Sequence, residues 1–338
     1  MQLEQDFSLL AYNTFGIAAK SDFFVSADTA SELKEATTDA KLKDLPKLFL
    51  GGGSNLLFTK DFPGVVIKVS FSGKEVISES DSEVVIKVAA GENWHEFVEY
   101  AVNAGYAGLE NLALIPGNVG AAPIQNIGAY GTEVKAVITS VEVFDIPSGE
   151  IKNIENGACK FGYRDSIFKR ELKGKVVVTA VYFKLQKSTV AANTSYKALS
   201  DYFAAAPKDS YTTKEVFNAV CAIRSSKLPD LSLLGTAGSF FKNPFISADK
   251  FAQLQQQYPN IPSYPEGDII KVPAGWLIEQ CGWKGHRVND AGVYEKQALV
   301  LVNYGKSSGA EILSLANQII SSVQDKFDIT LEPEVNII

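Results

Sequence analysis

A mixed α/β fold in more than one domain is what this sequence predicts, on three observations. Short β-branched runs alternate with helical patterns along the chain, the arrangement that layered α/β folds require. The 338 residues exceed the size at which a single core stops growing, so two or three domains are expected. One strand also runs directly into a glycine loop, Gly51-Gly52-Gly53-Ser54-Asn55, where successive backbone N–H groups can gather around an anion.

Residues 22–69 read as strand, helix, strand, loop, strand. DFFVSA is a short apolar run, Ser31 to Asp44 has modest helical amphipathicity, and KLFL (47–50) enters the glycine loop before GVVIKV (64–69). GGGSN is neither GxGxxG nor a Walker A sequence, so the spacing excludes a Rossmann or P-loop assignment. EVVIKVAAG (83–91) is a further strand. Glu92 to Asn103 then sets Trp94, Phe97, Val98, Ala101 and Val102 at helical spacing and closes at Gly105. His95 falls beside that stripe, as a boundary residue rather than a ligand.

The stretch from Asn111 to Val134 holds Gly117, Gly120, Gly128 and Gly131, with Gln125 and Asn126 at its centre and only one charged residue, Glu133. That composition suits a buried connection or backbone brought close to a ligand. AVITSVEVFD (136–145) and KVVVTAVYFKL (175–185) are strands on either side of CKFGYRDSIFK (159–169). Arg164 in that segment suits either a structural role, stacked on Tyr163 or paired with Asp165, or a carboxylate clamp made by its planar fork. Residues 188–212 are polar and read as a mobile loop with a short helix.

Thr212 to Glu215 forms a capping box opening a helix through VFNAVCAIRSSK. A composition change at Leu228-Pro229-Asp230 marks the start of a last domain. It contains GTAGSFFKNP (235–244), a helix from Ser247 to Gln257 and a helix with Pro273 at its first position. A long helix to Phe327 follows, opened by the Ser308–Glu311 capping box with Ile312, Leu315, Ala316, Ile319, Ile320, Val323 and Phe327 on one face. The chain ends in a strand, ITLEPEVNII.

Composition narrows function. A net charge of −7 argues against nucleic acid as a partner. No apolar run reaches a membrane span, and the first residues are not a secretory signal. Cys159, Cys221 and Cys281 are distant and odd in number, as reduced thiols of a cytoplasmic protein are. With two histidines and no Cys/His cluster, no metal is expected.

LFLGGGSNLLF, IPGNVGAAPIQNIGAYG, FGYRDS, GTAGSFFKNP and LEPEV together, in this order, resemble the UDP-N-acetylenolpyruvoylglucosamine reductase family from end to end. The resemblance implies the FAD-binding fold shared with vanillyl-alcohol oxidase and para-cresol methylhydroxylase, with a third, substrate-binding α/β domain. The expected divisions are 1–70, completed by 328–338, then 71–226, then 227–327. It implies noncovalent FAD, NADPH as hydride donor, UDP-N-acetylglucosamine enolpyruvate as substrate, and a monomer. The cofactor-binding positions would be Gly51, Gly52, Gly53, Ser54, Asn55, Pro116, Gly117, Gly120, Gln125, Asn126, Gly128 and Gly131.

Carried over motif by motif, Arg164 would bind the enolpyruvyl carboxylate, Ser239 would donate a proton, and Glu334 would help stabilise the enolate. Lys227 and Asn243 would bind substrate. Tyr196 would close over the UDP part, as in the longer family form with this insertion. Asn336 stands where the family usually has Arg. Alternation in a strand would put Glu332 and Glu334 on one side, with Leu331, Pro333, Val335 and Ile337 on the other, so only the motif register favours Glu334.

The chemistry fits these residue types. Hydride addition to an enolpyruvyl ether leaves negative charge on the α-carbon and its carboxylate, which calls for a fixed cation and a nearby proton donor. Two other readings differ in observable ways. A flavin oxidase of the same fold would react fast with oxygen, and a nucleotide-sugar binding module would carry no flavin.

Overall fold

A computed structural model describes residues 1–187 and 192–338. The expected 188–212 loop therefore begins in four residues outside the described ones; the rest of it contains the helix Lys197–Phe203. The chain divides into two compact units. The first is Met1–Phe7, Ser21–Gly52 and Pro63–Ser226; the second is Ser8–Lys20, Gly53–Phe62 and Lys227–Ile338.

Two sheets of four or more strands are described in the first unit. One orders Glu4–Ser8, Lys20–Ala27, Phe62–Val69 and Lys47–Leu50, the last two parallel, with Leu50 opposite Lys68. The expected helix at 31–44 is shorter, Ala30–Thr38. The hydroxyls of Thr37 and Thr38 bond back to carbonyls one turn earlier, and the Asp39 carboxylate accepts from the Lys41 amide at 2.7 Å. Short polar side chains that take backbone bonds in this way compete with the helix and end it.

The second sheet has six strands: it orders Glu150–Glu155, Ile138–Asp145, Val176–Lys187, Glu83–Ala89 and Lys74–Glu79, with Tyr106–Ala107 also paired to Val176–Lys187, antiparallel throughout. Its three central strands are the apolar runs read from the sequence. The flanking strands were not anticipated, because an edge strand facing water on both sides need not alternate; all six residues of Lys74–Glu79 are exposed. Trp94, Phe97, Val98, Ala101 and Val102 of the helix Trp94–Asn103 are buried against this sheet's core, as their spacing predicts.

The core of the second unit is built on the helix Gly309–Phe327. Its capping box is present, with the Ser308 side chain on the Glu311 amide and the Glu311 carboxylate on the Ser308 amide. Ile312, Leu315, Ala316, Ile319, Val323 and Phe327 are buried. Pro273 is the N-cap of the helix Ala274–Gln280 rather than its first residue. The terminal strand is only Asn336–Ile337, parallel to Leu56–Leu57. Its expected alternation fails: Leu331 and Val335 are buried, but Pro333 and Ile337 are exposed. No described helix is long and apolar enough to cross a membrane.

Candidate active site

In the first unit the glycine stretch is pinned from several sides. The Trp94 amide donates to the Gly117 carbonyl at 3.0 Å and the Val119 amide to Glu92 O at 2.9 Å. The Trp94 indole donates to Leu112 O at 2.9 Å. Gly120 is a close-packing position: its amide donates to Ala90 O at 2.9 Å, and an added Cβ would lie 2.6 Å from the Ala90 Cβ. Asn126 is wholly buried. Its Nδ2 donates to Gly162 O at 2.9 Å and its Oδ1 accepts from the Lys135 amide at 3.1 Å, tying the stretch to the FGYRDS segment.

Arg164 stands at the end of that tie. Its backbone is left-handed, φ 51°, a conformation that costs a non-glycine residue energy and persists only where surroundings fix it. Its Nη2 donates to Gly128 O at 2.8 Å, and its guanidinium lies 5.7 Å from the Tyr163 ring centroid. The Asp165 carboxylate pairs instead with Arg170 at 3.2 Å. Gly131, at φ 78°, makes the tight turn between Gly128–Ala129 and Thr132–Glu133. Tyr196 packs edge-on to Tyr130 there, with ring centroids 5.5 Å apart. Buried Asn111 holds both segments, donating to the carbonyls of Tyr130 and Asn193 at 3.0 Å each.

A second arginine of this unit escaped the sequence reading. Arg224 donates through Nη2 to Leu114 O at 3.2 Å and adjoins the Tyr130 hydroxyl, while its buried Nε meets no partner among the described residues. Burial pulls its pKa down and Tyr130 opposes that; burial also pushes the Tyr130 phenol up. The signal was a charge lying four residues after Val220 and seven after Phe217, on an apolar helical stripe. His95 stands at the burial boundary as expected, and its Nδ1 accepts from the Leu114 amide at 3.2 Å.

The upstream glycine loop meets this stretch. At Gly52 an added Cβ would lie 2.6 Å from Asn118 Oδ1 and 2.8 Å from the Gly117 Cα, so two backbones touch where any side chain would part them. Pro116 is exposed, and Gln125 is half-buried.

In the second unit, Gly53 (φ 65°) fits because a Cβ would sit 2.0 Å from Tyr12 O. Half-buried Ser54 follows. The Asn55 carbonyl accepts from the Asn336 amide at 3.1 Å and from Asn336 Nδ2 at 2.8 Å, so Asn336 anchors the last strand through backbone and side chain.

Ser239 follows Gly238, whose φ is 74°. Thr236 shapes that turn, donating from Oγ1 to Leu301 O at 2.7 Å and accepting from the Gly238 amide at 3.2 Å. Ser239 is exposed and bridges Val300, while Phe240 and Phe241 are buried behind it. The Glu334 amide donates to Phe240 O at 2.8 Å, which sets Glu334 beside the Ser239 segment. Glu334 is half-buried, whereas the Glu332 side chain is 73% exposed and pairs with Lys242 at 3.2 Å. Asn243 Oδ1 caps the helix Ala274–Gln280 through the Ala274 amide at 2.9 Å, and Lys227 is exposed. Among the described residues no cluster of His, Cys, Asp or Glu is placed to hold a metal.

Residues 21–155 match the family model for an FAD binding domain, and residues 229–338 match that for the C-terminal domain of UDP-N-acetylenolpyruvoylglucosamine reductase. The chain is 47% identical to the UDP-N-acetylenolpyruvoylglucosamine reductase of Flavobacterium johnsoniae, over 100% of both chains. It is 46% identical to that of Chromobacterium violaceum, over 99% of this chain and 98% of the relative. The crystal structure of the Thermus caldophilus enzyme superposes with a TM-score of 0.70 at 26% identity, covering 100% of this chain and 99% of the other. A solvent-stable cholesterol oxidase shares the fold alone, with a TM-score of 0.52 at 12% identity, over 98% of this chain and 86% of the other.

The first unit's residues fit an FAD diphosphate. The backbones of Gly52 and Gly117 are in contact, and among the described residues the amides of Gly52, Gly117 and Asn118 donate no hydrogen bond. Such unpaired N–H groups form an anion-binding nest. With an FAD binding domain, the matching C-terminal domain and full-length relatives at this identity, the chain belongs to the UDP-N-acetylenolpyruvoylglucosamine reductase family.

Proposed function

We propose that this protein reduces UDP-N-acetylglucosamine enolpyruvate to UDP-N-acetylmuramate for peptidoglycan synthesis, with NADPH as reductant. Bound noncovalently at the Gly52 and Gly117–Asn118 backbone, FAD would supply the hydride chemistry between NADPH and the terminal carbon of the enolpyruvyl group. The Arg164 guanidinium holds the enolpyruvyl carboxylate through two parallel hydrogen bonds and stabilises the charge that develops there. The Ser239 hydroxyl gives its proton to the α-carbon as carbanion character builds. Glu334 assists Arg164 in stabilising the enolate. Lys227, Asn243 and Tyr196 hold the nucleotide-sugar, with Tyr196 closing over the UDP part.

In this reading residues 1–70 with 328–338, and 71–226, are the FAD-binding subdomains, and 227–327 is the substrate domain. The enzyme acts in the cytoplasm as a monomer, and through cell-wall supply it bears on cell shape, division and the cell cycle. The observation that carries the reading is Arg164 at φ 51°, with its guanidinium held on the carbonyl of Gly128. Backbone strain retained at a half-buried cation is what a fixed electrostatic stabiliser requires.

The test is an anaerobic visible spectrum of the purified protein, with NADPH added and then the UDP-sugar. Bleaching followed by recovery supports both half-reactions. Bleaching without recovery would assign another acceptor, and a protein that cannot be reconstituted with FAD would overturn the reading.

A further inference from the structure

Two lysines of the first unit are carried inward on neighbouring parallel strands, Lys47–Leu50 and Phe62–Val69. Burial lowers the pKa of both. Their surroundings differ in one respect. Lys47 donates to three carbonyls, those of Leu42 at 3.0 Å, Lys43 at 2.7 Å and Leu45 at 3.2 Å. Three donors meet three acceptors, so the chain itself satisfies that ammonium. Lys68 has a single acceptor, the carbonyl of Gly51, and no carboxylate partner among the described residues.

Even half-buried, a charge with no partner of opposite sign carries a desolvation cost that an anion would offset. Strand register places Lys68 opposite Leu50, one residue before the glycine loop. Val65, Ile67 and Val69 belong to the core cluster, so alternation turns Lys68 to the other face of the strand. The cation therefore stands at the root of the loop whose Gly52 backbone touches Gly117, beside three amides that donate to nothing described. Because the Gly51–Gly52 peptide is trans, the Gly51 carbonyl and the Gly52 N–H point to opposite sides, so the ammonium polarises from behind a donor that is left for an anion.

We propose that Lys68, by donating to the Gly51 carbonyl, polarises the Gly51–Gly52 peptide and adds positive charge behind the backbone N–H groups of Gly52, Gly117 and Asn118 that hold the FAD diphosphate. This rests on the FAD-binding reading and names a residue that no motif of the chain singles out. The diphosphate would offset the cost of burial at Lys68, so FAD affinity falls as pH rises through the lowered lysine pKa, where the free protein gives up that proton.

The test uses the full chain freed of flavin, as wild type, Lys68→Met and Lys68→Arg. FAD binding is read by fluorescence quenching, ADP and riboflavin binding by competition, and flavin-free stability by thermal melting. Lys68→Met is expected to weaken FAD and ADP by about 10-fold, the scale of a unit charge acting across one peptide at an effective dielectric near 20. Riboflavin, which has no phosphate, keeps its affinity. The flavin-free Met variant melts no lower than wild type, because a half-buried charge without a countercharge has gone, and Lys68→Arg retains most of the FAD affinity. Unchanged FAD affinity in Lys68→Met would overturn the proposal. So would equal losses for FAD and riboflavin with a lower melting temperature, which would make Lys68 only a tether for Gly51. A wild type that binds neither FAD nor ADP would instead remove the cofactor reading itself.

Discussion

Arg164 and Ser239 both sit on sharp turns, but the two turns carry their strain differently. At Arg164 the functional residue itself is left-handed, and the Gly128 carbonyl holds its guanidinium. At Ser239 the positive φ belongs to the preceding Gly238, and the serine stays exposed on an extended bridge to Val300. The contrast fits the two roles proposed for these residues. A cation that stabilises developing charge must be fixed before the charge appears, so it tolerates strain that locks it. A proton donor must present a small hydroxyl to an incoming carbon, so its strain is delegated to a glycine.

The largest effect is expected at the fixed cation. Arg164→Lys should lower substrate-dependent turnover by about 100-fold or more, since the planar fork is lost, while NADPH still bleaches the flavin. Steady-state and rapid-mixing assays check this, and wild-type turnover would break the contrast. The neighbouring glutamates sharpen it next. Glu334→Gln should depress turnover, whereas Glu332→Gln, on an exposed side chain paired with Lys242, should leave turnover unchanged and shift stability by less than about 0.5 kcal/mol.

Within the Ser239 turn, two glycines separate steric from torsional cost. Gly235→Ala would put a Cβ 2.1 Å from Phe15 O, backbone against backbone, and should destabilise by about 3 kcal/mol. Gly238→Ala meets nothing within 4 Å, so only its φ of 74° is penalised, by about 1–2 kcal/mol. Urea denaturation of both variants checks the order.

The smallest effect concerns His95. Burial holds its pKa below the usual range, with Arg224 adding to that and Glu99 and Glu96 opposing it. The folded form therefore prefers the neutral ring that accepts from Leu114, while the unfolded chain takes up a proton near pH 6.5. The resulting stability is present above that pH and is lost as pH falls through it. His95→Gln should lose less stability than wild type between pH 7.5 and pH 5.5, as read by urea midpoints.

Much of this was legible in the sequence where one face of an element is apolar. The stripes of Trp94–Asn103 and Gly309–Phe327 and the three central strands of the six-stranded sheet follow from periodicity. The strands Lys74–Glu79 and Glu150–Glu155 did not, because edge strands bury too little to alternate. The early stop at Thr38 depends on side-chain bonds to backbone that spacing does not encode. For the candidate site, glycine motifs marked where backbone comes close, but not why. Gly120 is glycine for Ala90, and Gly52 for Gly117 and Asn118. Arg224 and Lys68 went unmarked because each is a single charge in an apolar run, and only burial separates it from a solvated one.

The most direct measurement is rapid mixing of Ser239→Ala in the two half-reactions separately. The account predicts flavin reduction by NADPH at nearly the wild-type rate and reoxidation by UDP-N-acetylglucosamine enolpyruvate slowed by about 100-fold or more. Equal slowing of both steps, or unimpaired reoxidation, would contradict the assignment of Ser239 as the proton donor.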